Sequence, residues 1–203
     1  MFTGIVQGLI KVKSLIRKEE FCTLVLSFPE GKTTGLVPGA SVAINGTCLT
    51  ATEIHGNDAH FDVIASTLRI TNLGELDVGS VANFERAARI GDEIGGHQTS
   101  GHIHDLAVIS AREDFPDNCK LTFEVPDAYR KYLMDKGYIA LNGCSLTIAG
   151  LTEKGFFVFL IPETLGVTTF GSAKAGDKIN LEIDPSTQTI VDTIERYLAT
   201  RNA

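Results

Sequence analysis

Few side chains in this sequence are equipped for chemistry, and they fall in matched places. Cys48 follows Asn45-Gly46-Thr47, and Ser145 follows Asn142-Gly143-Cys144. A thiol and a hydroxyl thus take the same step after an Asn-Gly pair. Either can serve as a nucleophile or a hydrogen-bond donor. Either can equally be a small side chain suited to a buried turn. His97, His102 and His104 bring three imidazoles into one short stretch, and an imidazole can move a proton near neutral pH. The spacing of His102 and His104 can also hold a metal ion, but no third ligand stands at a suitable distance in sequence, so no metal is expected. The Walker A, GxGxxG, GxSxG and HExxH patterns do not occur, which argues against the enzyme classes that depend on them.

The two Asn-Gly segments lie 142 − 45 = 97 residues apart. The same offset lays Phe2-Thr3-Gly4-Ile5-Val6 over Thr99-Ser100-Gly101-His102-Ile103, and Cys22 over Cys119. It also pairs Thr67-Leu68 with Thr164-Leu165, Asn83 with Asn180 and Glu85 with Glu182, all without a gap. Matches in one register along the whole chain mark a tandem duplication. The period exceeds that of solenoid repeats, about 20–50 residues, so each copy has the size of a small domain. The first unit is expected over residues 1–96, ending at Gly91-Asp92-Glu93-Ile94-Gly95-Gly96. The second is expected over 97–186, with a tail over 187–203. The copies differ at Ile5 against His102, Cys48 against Ser145, and Ser66 against Glu163.

Strands must position these residues. Residues 41–46 and 49–52 read as two strands around an Asn-Gly turn. Residues 156–161 form a short apolar run, and 178–183 alternate between apolar and polar. Several short strands in each copy predict a closed barrel, because closure removes exposed edges. The expected fold class is therefore all-β, with two tandem similar barrels, short helices and a C-terminal α-helix. A helix is expected over 127–133 with Asp127 as its cap. In the tail, Ile190, Val191, Ile194, Tyr197 and Leu198 share one helical face. That stripe needs a surface, which could be the chain's own barrel or another subunit.

The chain has 203 residues and a formal net charge of −7. An acidic chain without a basic block is a poor partner for nucleic acid or an anionic membrane. It contains no apolar run long enough to span a bilayer, and its start lacks the pattern of a secretory signal. A cytoplasmic location is expected, in which the four cysteines would be thiols.

Several segments together resemble the riboflavin synthase family of the α-chain type. They are the opening Met-Phe-Thr-Gly-Ile-Val, the two Asn-Gly-x-x-Leu-Thr segments, Gly95-Gly96-His97 with Ser100-Gly101-His102, Ile161-Pro162-Glu163-Thr164-Leu165, and Asn180-Leu181-Glu182-Ile183-Asp184. The resemblance covers essentially the whole chain. It implies two six-stranded Greek-key barrels and a homotrimer built through the C-terminal helix. The implied reaction joins two molecules of 6,7-dimethyl-8-ribityllumazine by four-carbon transfer, giving riboflavin and 5-amino-6-ribitylamino-2,4-pyrimidinedione without a cofactor. Lumazine synthase is a further implied partner. The same family includes fluorescent antenna proteins that bind such ligands without turnover, which is the alternative function.

Carried over by motif, the pocket of the first barrel would hold Gly4, Ile5, Val6, Cys48, Leu49, Thr50, Asp62, Val63, Ile64, Ala65, Ser66 and Thr67. That of the second would hold Gly101, His102, Ile103, Lys136, Ser145, Leu146, Thr147, Ile161, Pro162, Glu163 and Thr164. Phe2, Thr3, Ser41, Cys48, His102 and Asp184 are the candidates for the chemical centre, with His102 moving a proton. Family first barrels commonly have Glu-Thr-Leu after the pocket strand. Here Ser66-Thr67-Leu68 replaces it, while Glu163-Thr164-Leu165 keeps it.

Overall fold

A computed structural model describes residues 1–201. The first copy contains strands β1 (Gly8–Arg17), β2 (Phe21–Ser27), β3 (Ser41–Ile44), β4 (Thr47–His55), β5 (Asp58–Ile64) and β6 (Val81–Arg86). They close into a barrel in the order β1-β2-β5-β4-β3-β6. Alternation along each strand sends Ile10, Val12, Leu24, Leu26, Leu49, Phe61 and Phe84 into one core. Residues between them face outwards, and the candidate site lies on that outer face.

The second copy contains β7 (Asp105–Asp114), β8 (Cys119–Glu124), β9 (Tyr138–Leu141), β10 (Cys144–Thr147), β11 (Gly150–Leu151), β12 (Gly155–Leu160) and β13 (Lys178–Ile183). Their order is β10-β9-β13-β7-β8-β12-β11. This is the first barrel's order with one strand divided, since β10 and β11 together correspond to β4. The division falls where β4 itself carries a bulge, between Ala51 and Glu53. An irregularity that bends one strand interrupts its counterpart, so the second copy, expected to be a closed barrel, is a seven-stranded sheet that ends at β10 on one side and β11 on the other.

The pocket segments leave the barrels as short helices, α1 (Ala65–Ile70) and α3 (Pro162–Val167). Helix α2 (Asp127–Arg130) is shorter than expected, and Asp127 is not its cap. The cap position belongs to Pro126, and no side chain bonds there. Residues 131–133 continue instead as tight turns, with Tyr132 N donating to Tyr129 O and Leu133 N to Arg130 O.

Both Asn-Gly pairs form hairpin turns, with φ of 43° and 79° at Asn45 and Gly46, and 47° and 79° at Asn142 and Gly143. The turns meet back to back between the barrels. A Cβ on Gly46 would lie 2.5 Å from Gly143 N, so only glycine allows this approach. Buried asparagines surround the contact in a nearly two-fold arrangement. Asn83 Nδ2 donates to Asn142 O at 2.9 Å, and Asn180 Nδ2 donates to Asn45 O at 2.8 Å. Thr169 N donates to Asn83 Oδ1 and Asn72 N to Asn180 Oδ1. With their polar atoms satisfied, these side chains hold the barrels in one register.

Helix α4 (Pro185–Arg201) forms the tail. Val191 packs on the second core, while Ile190, Ile194, Tyr197 and Leu198 are each more than half exposed. Tyr132 Oη donates to Asp192 Oδ1 at 2.6 Å, and Lys131 pairs with Glu195. The helix is thus tethered to its own barrel by polar contacts and one valine, leaving most of its apolar stripe uncovered. Residues 202 and 203 of the expected tail lie outside the described residues.

Candidate functional site

On the outer face of the first barrel, Cys48 and Thr50 point away from the core while Leu49 points into it. Ser41 stands opposite Thr50 in the β3–β4 ladder. Asp62 and Ile64 continue the face on β5, and Val63 between them is buried in the core. Ala65, Ser66 and Thr67 form the first turn of α1. The second barrel repeats the arrangement with Ser145 and Thr147 outward, Leu146 inward, Tyr138 opposite Thr147, and Ile161 before α3. Pro162, Glu163 and Thr164 open α3. Lys136, with φ of 62°, donates from Nζ to Ala149 O at the split in the strand. Ile64 and Ile161 are both 60% exposed, so each face offers an apolar platform bordered by hydroxyls.

The segments before the barrels complete these faces, but crosswise. Cys48 N donates to Gly101 O at 2.9 Å, and Ser145 N donates to Gly4 O at 2.8 Å. A Cβ on Gly101 would meet Cys48 Cβ at 2.6 Å, and one on Gly4 would meet Ser145 Cβ at the same distance. Val6 packs into the second core. The grouping expected from sequence is therefore corrected. Gly4, Ile5 and Val6 belong with the Ser145 face, and Gly101, His102 and Ile103 with the Cys48 face. The physical reason is the pair of main-chain bonds between Phe2 and Thr99, at 2.9 and 3.0 Å, which draws the two leading segments past each other.

A buried glutamate holds each segment. Glu182 accepts from Ser100 N at 2.6 Å, Ser100 Oγ at 2.7 Å and Gly101 N at 3.1 Å. Glu85 accepts from Thr3 N, Thr3 Oγ1 and Gly4 N at 2.6, 2.8 and 3.1 Å. Burial pushes the Glu85 carboxyl up, against the opposing pull of the bonds from Thr3 and Gly4. These bonds account for Thr3, which braces Gly4.

The exchange brings Cys48 and His102 to one cavity of about 760 Å³, with Met1, Ser100, Pro185 and Ile190 in its walls. Phe2 is buried behind it, where a Cβ on Gly101 would come within 3.0 Å of its ring. Asp184 is not among the residues that wall this cavity. Its Oδ2 accepts from Thr187 N at 2.8 Å and caps α4. The related cavity in the other half, about 590 Å³, is walled by Thr3, Ile5, Glu85, Asp92 and Glu93. Helix α4 thus lines one cavity, and the acidic linker lines its counterpart.

All four cysteines are free. Burial pushes the Cys144 thiol up to about 12 and also raises Cys22 and Cys119. These three are core thiols, whereas Cys48 meets a cavity. His104 is structural, with Nε2 3.0 Å from Gln188 Oε1 and Nδ1 accepting from Ile183 N.

Sequence reasoning named His97 among three clustered imidazoles but left it out of the candidate site; it is 6% exposed. Its Nδ1 lies 2.6 Å from Ser145 Oγ, and its ring stacks on Tyr138 at 5.0 Å and 17°. Its Nε2 has no partner. Cys48 and Ser145 are both half-buried, but Ser145 is tied to an imidazole whereas Cys48 lines the cavity with His102. The two glycines that directly precede His97 are the signal that could have singled it out. Burial holds its pKa below the usual 6.5, against the pull of Asp184. The folded chain therefore resists protonation at this site, and the stability it contributes is present above the unfolded pKa and lost as pH falls. The stability advantage over His97→Asn should shrink between about pH 7.5 and 5.5. Urea midpoints across that range check this, and a constant difference would contradict it.

The lumazine binding domain family matches residues 3–87 and again residues 100–184. The riboflavin synthase of Escherichia coli (strain K12) is 51% identical over 99% of this chain and 95% of its own. The riboflavin synthase of Chlamydia pneumoniae is 40% identical, over 98% of both chains. The chain belongs to the riboflavin synthase family. Two solved structures share the fold of these lumazine-binding repeats at 24% identity and 91% coverage of this chain. They are LumP complexed with 6,7-dimethyl-8-(1'-D-ribityl) lumazine, covering 99% of that chain at a TM-score of 0.83, and LumP complexed with riboflavin, covering 100% at 0.85. Within this family frame, no helix among the described residues is long and apolar enough to cross a membrane.

Proposed function

We propose that this chain is a riboflavin synthase, a transferase in which one molecule of 6,7-dimethyl-8-ribityllumazine gives a four-carbon unit to a second. The products are riboflavin and 5-amino-6-ribitylamino-2,4-pyrimidinedione. The observation that carries the reading is the meeting of Cys48 and His102 at one cavity, in a chain matched throughout by riboflavin synthases.

Donor and acceptor are the same compound, so the reaction needs two related pockets, which the duplication supplies. The lumazine C7 methyl is acidic for a C–H group because its anion spreads into the ring. His102 takes that proton, and Cys48 and Ser41 offer a nucleophile or polar stabilisation to the neighbouring ring. Phe2 and Thr3 shape the leading segments, and Asp184 acts through the α4 cap and His97. Residues 62–67 receive one ribityl chain. Residues 161–164 and Lys136 receive the other. Ser66 is a weaker acceptor for hydroxyls than Glu163, so the pocket of the first barrel binds the ribityl chain less tightly.

Each platform is open in the single chain, and stacking two ligands requires a second platform opposite. We assign that cover to the other barrel of a neighbouring subunit in a homotrimer joined through α4, in the cytoplasm. Mixing the purified protein with the lumazine should yield riboflavin absorption, and His102→Ala should lower kcat by about 10²–10⁴. Stoichiometric lumazine binding without conversion would favour an antenna protein instead. A folded His102→Ala variant with full turnover would remove the proton role.

A further inference from the structure

Glu53, His55 and His60 form a cluster on the outer wall of the first barrel that the proposed reaction does not use. Glu53 and His55 lie two apart on β4, and His60 stands opposite Glu53 across the β4–β5 ladder. Glu53 Oε2 lies 3.0 Å from His55 Nε2 and 3.9 Å from His60 Nδ1. One donor atom from each residue falls within 4.8 Å of the other two. The bulge beside Glu53 gathers these side chains at one point of the sheet. The 97-residue offset places Gly150, Thr152 and Phe157 at the same positions of the second copy. The strand pairing therefore does not demand the cluster, because Gly150 and Phe157 of the second copy pair in the same register without it.

We propose that Glu53, His55 and His60 are the protein ligands of a surface site for a divalent late transition-metal ion, with water completing the coordination. Two imidazoles and a carboxylate suit zinc, nickel or copper(II) rather than the oxygen-seeking magnesium or calcium. Zinc binds imidazole nitrogen and carboxylate oxygen at about 2.0–2.2 Å, which sets ligand atoms roughly 3–3.5 Å apart in a tetrahedron. Rotation about side-chain bonds closes the remaining gap, since the His55 and Glu53 side chains are 67% and 62% exposed and His60 is 26% exposed. An ion here would bridge two neighbouring strands, so it would also stabilise the barrel by binding the folded chain alone.

Calorimetric titration of zinc chloride into the metal-stripped full chain should show one saturable site per chain. Copper(II) added instead should show electron-paramagnetic coupling to two imidazole nitrogens, reduced to one in His55→Ala and in His60→Ala. Outer partners of a metal site alone are worth about 10–100-fold in affinity, so each ligand variant should weaken zinc binding by at least that range. The His55→Ala/His60→Ala double variant, altered outside both cores, should remain folded by circular dichroism and lose both the isotherm and the zinc-induced rise in Tm. An unchanged isotherm in the double variant would assign the ion to other histidines or a thiol and overturn the proposal. So would the absence of saturable zinc binding below roughly 1 mM.

Discussion

Replacing Glu182 by alanine should cost about 3–5 kcal/mol of stability and remove turnover. The side chain is 1% exposed and accepts from two main-chain amides and one hydroxyl. Truncation leaves those donors buried without partners, and each such loss is worth about 1–3 kcal/mol. The effect on activity has a separate origin. The bonds hold Ser100 and Gly101, and Gly101 O in turn receives Cys48 N while the next residue is His102. Releasing the segment would let the imidazole move relative to the thiol, and small misplacements of reacting groups are costly. Glu182→Gln keeps the volume but turns an NH₂ towards donors, so its loss should fall between wild type and alanine. Urea unfolding gives the stability and riboflavin formation the rate. A folded Glu182→Ala variant within about 0.5 kcal/mol of wild type, the level typical of exposed surface changes, would show that other contacts hold the segment.

The double substitution Ile194→Glu/Leu198→Glu should leave each chain folded yet nearly inactive. Both side chains are about half exposed in the single chain, at 53% and 52%, so neither supports a core. Charges on that stripe would oppose association of α4 with another copy. If the two platforms face each other only across subunits, separation abolishes the approach of donor to acceptor. Holding two reactants in place supplies up to about 7–11 kcal/mol of the barrier. A fall in kcat of at least about 10³ is expected, since tenfold corresponds to about 1.4 kcal/mol. Sedimentation measures the oligomeric state beside the rate. A monomeric variant with full activity would place both pockets within one chain.

These two predictions rest on different levels of information. The stripe on α4 is legible in the sequence because helical periodicity is local: the spacing of Ile190, Ile194, Tyr197 and Leu198 defines a face before any partner is known. The Asn-Gly turns are legible for the same reason, since positive φ at both positions is a property of the dipeptide. The carried-over motif, by contrast, put Cys48, Leu49 and Thr50 together in the pocket, and the structure turns Leu49 into the core. Where local signals were overread, neighbouring chain decided. At Asp127 the preceding proline took the cap position. Thr52 and Ala149 occupy matched positions, yet the strand is bulged in one copy and split in the other.

The candidate site divides in the same way. The duplication and the three differences between copies needed no structure, because an ungapped offset of 97 residues is a fact of the chain. Which segment completes which face was not readable, because the repeat is silent on whether each copy uses its own leading strand or its twin's. The tertiary structure decided that through two main-chain bonds between Phe2 and Thr99 and through glycines at positions 4 and 101. Close packing of distant backbones has no sequence period. It alone set His102 beside Cys48 and buried His97 against Ser145.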